Sequence, residues 1–164
     1  MQRAFGRSRV GGNNDSVAVA ALAVGRQVRV LAVDPGSKRV GLALSDPTGT
    51  IAQALATVPA EPVETLVARL AEIAARNEAK EIVVGLPRRM DGSFGPEAKA
   101  ARALAGELRR ASRLRVELVD ERLTTAAAEK SLLAGGLRRD KRRASIDRVA
   151  ATLLLQSHLD RKRV

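Results

Sequence analysis

The sequence predicts an α/β fold, one mixed five-stranded sheet flanked by helices. Three observations predict it. Short apolar runs come first, joined by turn residues. Apolar residues then recur at helical spacing between further short runs. The 164 residues suit a single domain and allow one proper core without disulfide or zinc staples.

The elements follow in order. Val28 to Val33 is an apolar run ending at Asp34 and reads as a buried strand. Pro35-Gly36-Ser37 signals a turn, and Val40 to Leu44 forms the second strand. Ile51 to Val58 supplies a third. Pro62 stands where a helix would begin, ahead of Val63, Leu66, Val67, Leu70, Ile73 and Ala74 at helical spacing. Glu81 to Leu86 is a strand stopped by Pro87, and Pro96 opens a helix to about Ala111. Arg115 to Val119 is the last strand, followed by Asp120-Glu121. Thr124 or Thr125 can cap a third helix that Gly135-Gly136 ends. After a basic connector from Arg138 to Arg143, Ser145 can cap the last helix, whose inward residues would be Ile146, Val149, Ala150, Leu153 and Leu154.

Short turns make the first three strands an antiparallel meander. Helical crossovers make the first, fourth and fifth strands parallel. Residues 1–26 read as a flexible arm, and residues 27–164 as the folded domain.

The composition excludes several chemistries. The chain has no cysteine, hence no thiolate nucleophile, no thiolate zinc site and no disulfide. Two phenylalanines are the only aromatics, which disfavours base-stacking platforms. No apolar stretch reaches the roughly 18 residues of a membrane span, and a cytoplasmic location is expected. Twenty-nine basic residues against 18 acidic ones give a net charge of +11, which points to nucleic acid.

Three acids stand at telling positions. Asp34 ends the first strand, Glu121 follows the last, and Asp147 lies in the first turn of the last helix. Sites in open α/β sheets form beyond the carboxyl ends of strands. Three carboxylates crowded together repel and persist when a hard cation neutralises them. Magnesium or manganese suits such oxygen ligands, and two ions can clamp an in-line displacement at phosphorus. Taken singly, Asp34 could only start a turn, Glu121 could be a solvated charge and Asp147 could complement a helix dipole.

The run Val33-Asp34-Pro35-Gly36-Ser37-Lys38-Arg39-Val40-Gly41-Leu42-Ala43 resembles the first-strand signature of the YqgF/RuvX family. So do Gly85-Leu86-Pro87 with Met90-Asp91-Gly92-Ser93, then Asp120-Glu121-Arg122-Leu123-Thr124-Thr125, then Asp147 with Ala150-Ala151 and Leu153-Leu154-Leu155. The resemblance spans about residues 28–160. It implies a ribonuclease H-like fold and a nuclease that matures the 5′ end of pre-16S rRNA. It assigns the catalytic, metal-holding roles to Asp34, Glu121 and Asp147, served by magnesium or manganese, with two ions expected. A Holliday-junction resolvase acting on branched DNA is the alternative, and it calls for a homodimer. Further alternatives are one half of an actin-like phosphotransferase and a binding protein without catalysis.

The basic residues expected to grip pre-rRNA or structured DNA are Lys38, Arg39, Arg88, Arg89, Arg122, Arg138, Arg139, Lys141, Arg142 and Arg143. His158, the only histidine, is expected to be structural, at the surface or half-buried.

Overall fold

The computed structural model describes residues 28–121 and 139–163, with side chains in the last helix from Ile146 onward. Five strands form one sheet: β1 (Arg29–Pro35), β2 (Arg39–Ser45), β3 (Ala52–Pro59), β4 (Ala79–Leu86) and β5 (Arg115–Asp120). Their order is β3-β2-β1-β4-β5. The expected pattern is present: β1–β2 and β2–β3 are antiparallel, β1–β4 and β4–β5 parallel. β1 is central because its apolar run can be covered on both faces. Val30, Leu31, Ala32 and Val33 are all buried.

Side chains alternate across the sheet, and this sorts the residues into two cores. Leu31, Val33, Val40, Leu42, Ile82, Val84 and Val116 face one side. There they meet α1 (Val63–Arg76) and α2 (Pro96–Ser112) through Leu66, Leu70, Ala101, Leu104 and Leu108. Pro96 holds the first position of α2, where its missing N–H costs nothing. Both helices carry acid in the first turn (Glu64, Glu97) and arginine in the last, matching the helix dipole.

Val30, Ala32, Ala43, Val83 and Val119 face the other side and meet α3 (Arg139–Lys162) through Ala151, Leu154, Leu155 and Leu159. Gln156 ties this helix to the start of β3. Its Oε1 accepts from the Ala52 N–H at 2.9 Å, and its Nε2 donates to the Thr50 carbonyl at 3.1 Å.

Two expectations need correction. α3 begins at Arg139, so Arg139 to Arg143 are helical rather than a loop, and Ser145 lies inside the helix instead of capping it. The fully buried stripe is Ala150, Ala151, Leu154, Leu155, His158 and Leu159, while Ile146, Val149 and Leu153 are only half-buried. The small residues beneath the helix, Gly41, Ala43 and Ala32, let the row through Asp147, Ala151, Leu154 and His158 lie innermost. The arm expected for residues 1–26 and the helix expected from Thr124 to Gly135 lie outside the described residues.

Leu155 is fully buried beneath α3. Leu155→Ala is expected to lower unfolding free energy by about 2–5 kcal/mol in urea titration, through lost transfer energy and the cavity left behind.

Candidate acidic site at the sheet edge

The alternation that builds the α3 face also aims the site. In β1 the set Val30–Ala32–Asp34 faces α3; in β4 the set is Glu81–Val83–Gly85. In β5 the phase of Val119 continues to Glu121. Asp34 and Glu121 therefore emerge on one face at the carboxyl ends of β1 and β5. Between them lies β4, and two glycines clear the space around them. A Cβ at Gly85 would overlap the Glu121 carboxylate, so that side chain lies flat across β4. A Cβ at Gly41 would overlap the backbone carbonyl of Asp147. Gly41 is also the register partner of Asp34, so α3 sets Asp147 down beside the end of β1.

The electrostatics reflect this crowding. Burial pushes the Asp34 carboxyl above the ordinary carboxylate range. The hydrogen bond with Glu121 opposes that rise, and the charge of Asp147 adds to it. Glu121 is pushed up to about 10, first by burial, then by its hydrogen bond with Asp34 and the charges of Asp34 and Asp120. Close acids of this kind favour holding one proton between them when nothing else neutralises them. Asp147 is neutralised differently: Arg39 donates from Nε to its Oδ2 at 3.2 Å. An all-oxygen donor set held by half-buried acids suits a hard divalent cation, which would neutralise them in place of a proton.

The three predicted acids are thus brought to one edge, on one face. Among the described residues, however, the group whose ligand atoms lie within 4.8 Å of one another is Glu81, Glu117 and His158, at the far end of the same face. His158 is buried at 3% exposure, a correction to the expected surface or half-buried position. It continues the stripe of Leu154 and Leu155 one turn on, a signal already present in the sequence.

The predicted basic residues divide. Lys38 is exposed in the β1–β2 turn, and Arg89 is exposed in the loop after β4. Arg39 is engaged with Asp147. Arg88 donates to Asp120 Oδ2 at 3.1 Å and lies over the Phe94 ring, 4.7 Å from its centroid. Arg139, Lys141, Arg142 and Arg143 sit in the opening turns of α3, and Arg122 and Arg138 fall outside the described residues. Sequence reasoning missed Asp120, which anchors Arg88 and raises Glu121. It also missed the spacing role of Gly41 and Gly85, although both lie in the segments that carry the family resemblance.

A family model described as RuvX, Holliday junction resolvase, matches residues 28–161. The chain belongs to the RuvX family. Among its relatives is a protein of Pelotomaculum thermopropionicum assigned as a pre-16S rRNA nuclease. It is 50% identical over 134 residues, covering 81% of this chain and 87% of the relative. One of Moorella thermoacetica with the same assignment is 48% identical, covering 82% and 96%. Among solved structures, Thermus thermophilus RuvC in complex with a Holliday junction substrate has a TM-score of 0.53 at 18% identity, covering 83% and 96%. Fowlpox virus resolvase with Holliday junction DNA has 0.51 at 13%, covering 82% and 99%. These structures share the fold, a ribonuclease H-like one, with this RuvX chain.

The acid pair has a pH signature. Glu121 ionises at an ordinary value near 4.5 when unfolded and near 10 when folded. A raised folded value stabilises fully below the unfolded value, and the contribution disappears as pH climbs through the folded one. In chelator, the melting temperature is expected to fall between about pH 5 and pH 10, and Glu121→Gln to flatten that slope in thermal melts.

Proposed function

We propose that this RuvX-family chain is a divalent-cation-dependent nuclease that hydrolyses phosphodiester bonds in the 5′-end processing of pre-16S rRNA in the cytoplasm. The observation that carries the reading is the meeting of half-buried Asp34 and Glu121, bonded to each other at one edge of the sheet. The assignment of the relatives as pre-16S rRNA nucleases supports the substrate. Asp34, Glu121 and Asp147 would hold magnesium or manganese. A cation bound there supplies an acidified water and neutralises charge developing at phosphorus.

The chain's own residues do the rest. Gly85 keeps Glu121 flat against β4, and Gly41 admits the backbone of Asp147. Arg39 fixes the Asp147 carboxylate through its Nε. Exposed Lys38 and Arg89 flank the acids and take phosphate by charge without reading bases. Arg122, Arg138, Arg139, Lys141, Arg142 and Arg143 extend that grip. Among the described residues no helix is long and apolar enough to cross a membrane.

A second reading, resolution of four-way DNA junctions, is favoured by the family description and the likeness to junction resolvases. It requires two copies placing two sites at one junction. Cleavage of pre-rRNA by a monomer, with intact junctions left uncut, separates the two.

Asp34→Asn is expected to abolish magnesium- or manganese-dependent cleavage while circular dichroism stays unchanged. The loss should exceed the roughly 10–100-fold that outer-shell partners of a metal cost. Full activity in that variant would overturn the assignment. Lys38→Ala is expected to weaken substrate binding across sequences and lower the slope of log K against log salt by about one, read by filter binding.

A further inference from the structure

At the end of the α3 face opposite the acid pair lies a second polar cluster that the nuclease reading does not use. Glu81 is four strand residues before Gly85, or about 13 Å along β4. His158 is 11 helix residues after Asp147, or about 16 Å along α3. Between the clusters, Val83, Val119, Ala151, Leu154 and Leu155 form a dry stretch.

Three groups converge there. The Glu81 side chain is 6% exposed and His158 3%. The His158 Nε2 lies 3.4 Å from Glu81 Oε1, and its Nδ1 lies 4.0 Å from Glu117 Oε1. Glu81 Oε1 and His158 Nε2 are both fully buried, and neither has a hydrogen-bond partner. A separation of 3.4 Å is beyond the roughly 3.2 Å limit of an ordinary N–H···O bond. Two donors on a tetrahedral zinc ion, each at its usual bond length, sit roughly 3.3–3.4 Å apart. Leaving two such atoms facing each other across that gap is costly unless something joins them.

We propose that Glu81, Glu117 and His158 form a second, structural metal site for a zinc-class divalent cation, distinct from the carboxylate site. One ligand atom from each residue lies within 4.8 Å of the other two, and the Glu117 side chain, now nearer Nδ1, must turn toward Nε2 for one ion to take all three. The donor set of one imidazole and two carboxylates is of the kind zinc accepts. His158 is held below its ordinary pKa, by burial first and then by the charge of Lys162. It therefore offers a neutral ring nitrogen at neutral pH. Glu117 is 38% exposed and gives the ion its entry path. Arg115 is bonded to Glu117 Oε2, which leaves Oε1 to turn inward. Lys162 pairs with Glu81 Oε2, not with Oε1. Its side chain is 41% exposed, so it can swing into solvent as the ion enters. An ion there would join the last turns of α3 to β4 and β5, fixing the helix that carries Asp147 at its other end.

The test uses the full chain, stripped with chelator and kept in excess magnesium. Cobalt(II) and then zinc are titrated in. One equivalent of cobalt is expected to bind with the visible absorption of a low-coordinate nitrogen–oxygen site, to be displaced by zinc, and to raise the melting temperature. Asp34→Asn should keep this behaviour. Glu117→Gln, a near-isosteric change at a half-exposed position, should weaken zinc binding at least about tenfold, and His158→Gln should remove it. The proposal is overturned by no absorption and no melting shift, by binding that persists unchanged in Glu117→Gln, or by binding lost in Asp34→Asn. If His158→Gln fails to fold, Glu117→Gln decides.

Discussion

The close approach of α3 to the sheet at Gly41 is the contact on which the site depends. The backbone of Asp147 sits where a side chain at position 41 would begin. Gly41 lies opposite Asp34 in the β1–β2 ladder. One backbone-to-backbone contact therefore fixes the height of the helix above the sheet and brings the third acid to the first. Close packing of this kind leaves little play: adding a single carbon forces the helix outward or the strand out of register.

That contact is affordable because the rest of the α3 face is small and apolar. Ala32 and Ala43 lie under the helix, and Leu154, Leu155 and Leu159 fill the space toward its end. The apolar floor lowers the local dielectric around the polar groups at its two ends, so each end must find its own neutralising partner. Asp34 and Glu121 bond to each other, Asp147 takes Arg39, and Glu81 takes Lys162. In each case the answering group comes from a different element: Arg39 on β2 for Asp147 on α3, and Lys162 on α3 for Glu81 on β4. The remaining positive charge, carried by exposed Lys38, Arg89 and other surface residues, is free to act at longer range.

The relation to RuvC-type resolvases is one of architecture. At 18% identity and a TM-score of 0.53, the two chains share the fold over 83% of this one while most side chains differ. An open α/β scaffold of this type tolerates such divergence because packing needs volume and pattern more than particular residues. Within the RuvX family identity rises to 50% over 134 residues.

Much of this was legible in the chain itself. Apolar runs, turn residues and helical spacing located the five strands and the helices of the described residues. Asp34, Glu121 and Asp147 were marked by their places at element ends and by the family resemblance. Three things were misjudged from sequence: where α3 begins, which of its rows lies innermost, and how deeply His158 is buried. Basic residues such as Arg139 to Arg143 extend a helix as readily as they form a loop. A long helix with alanine and leucine on several sides leaves more than one row able to face inward.

Local pattern is set by residues near in the chain, and it determined the order of elements, the sheet's pairing and the acids at the strand ends. Only the tertiary structure decided that Arg39 answers Asp147, that Gly85 cradles Glu121, and that His158 is buried against Glu81 and Glu117. These are pairings between residues 36 to 108 positions apart. Their energies depend on distance and burial, which no reading of neighbours along the chain contains.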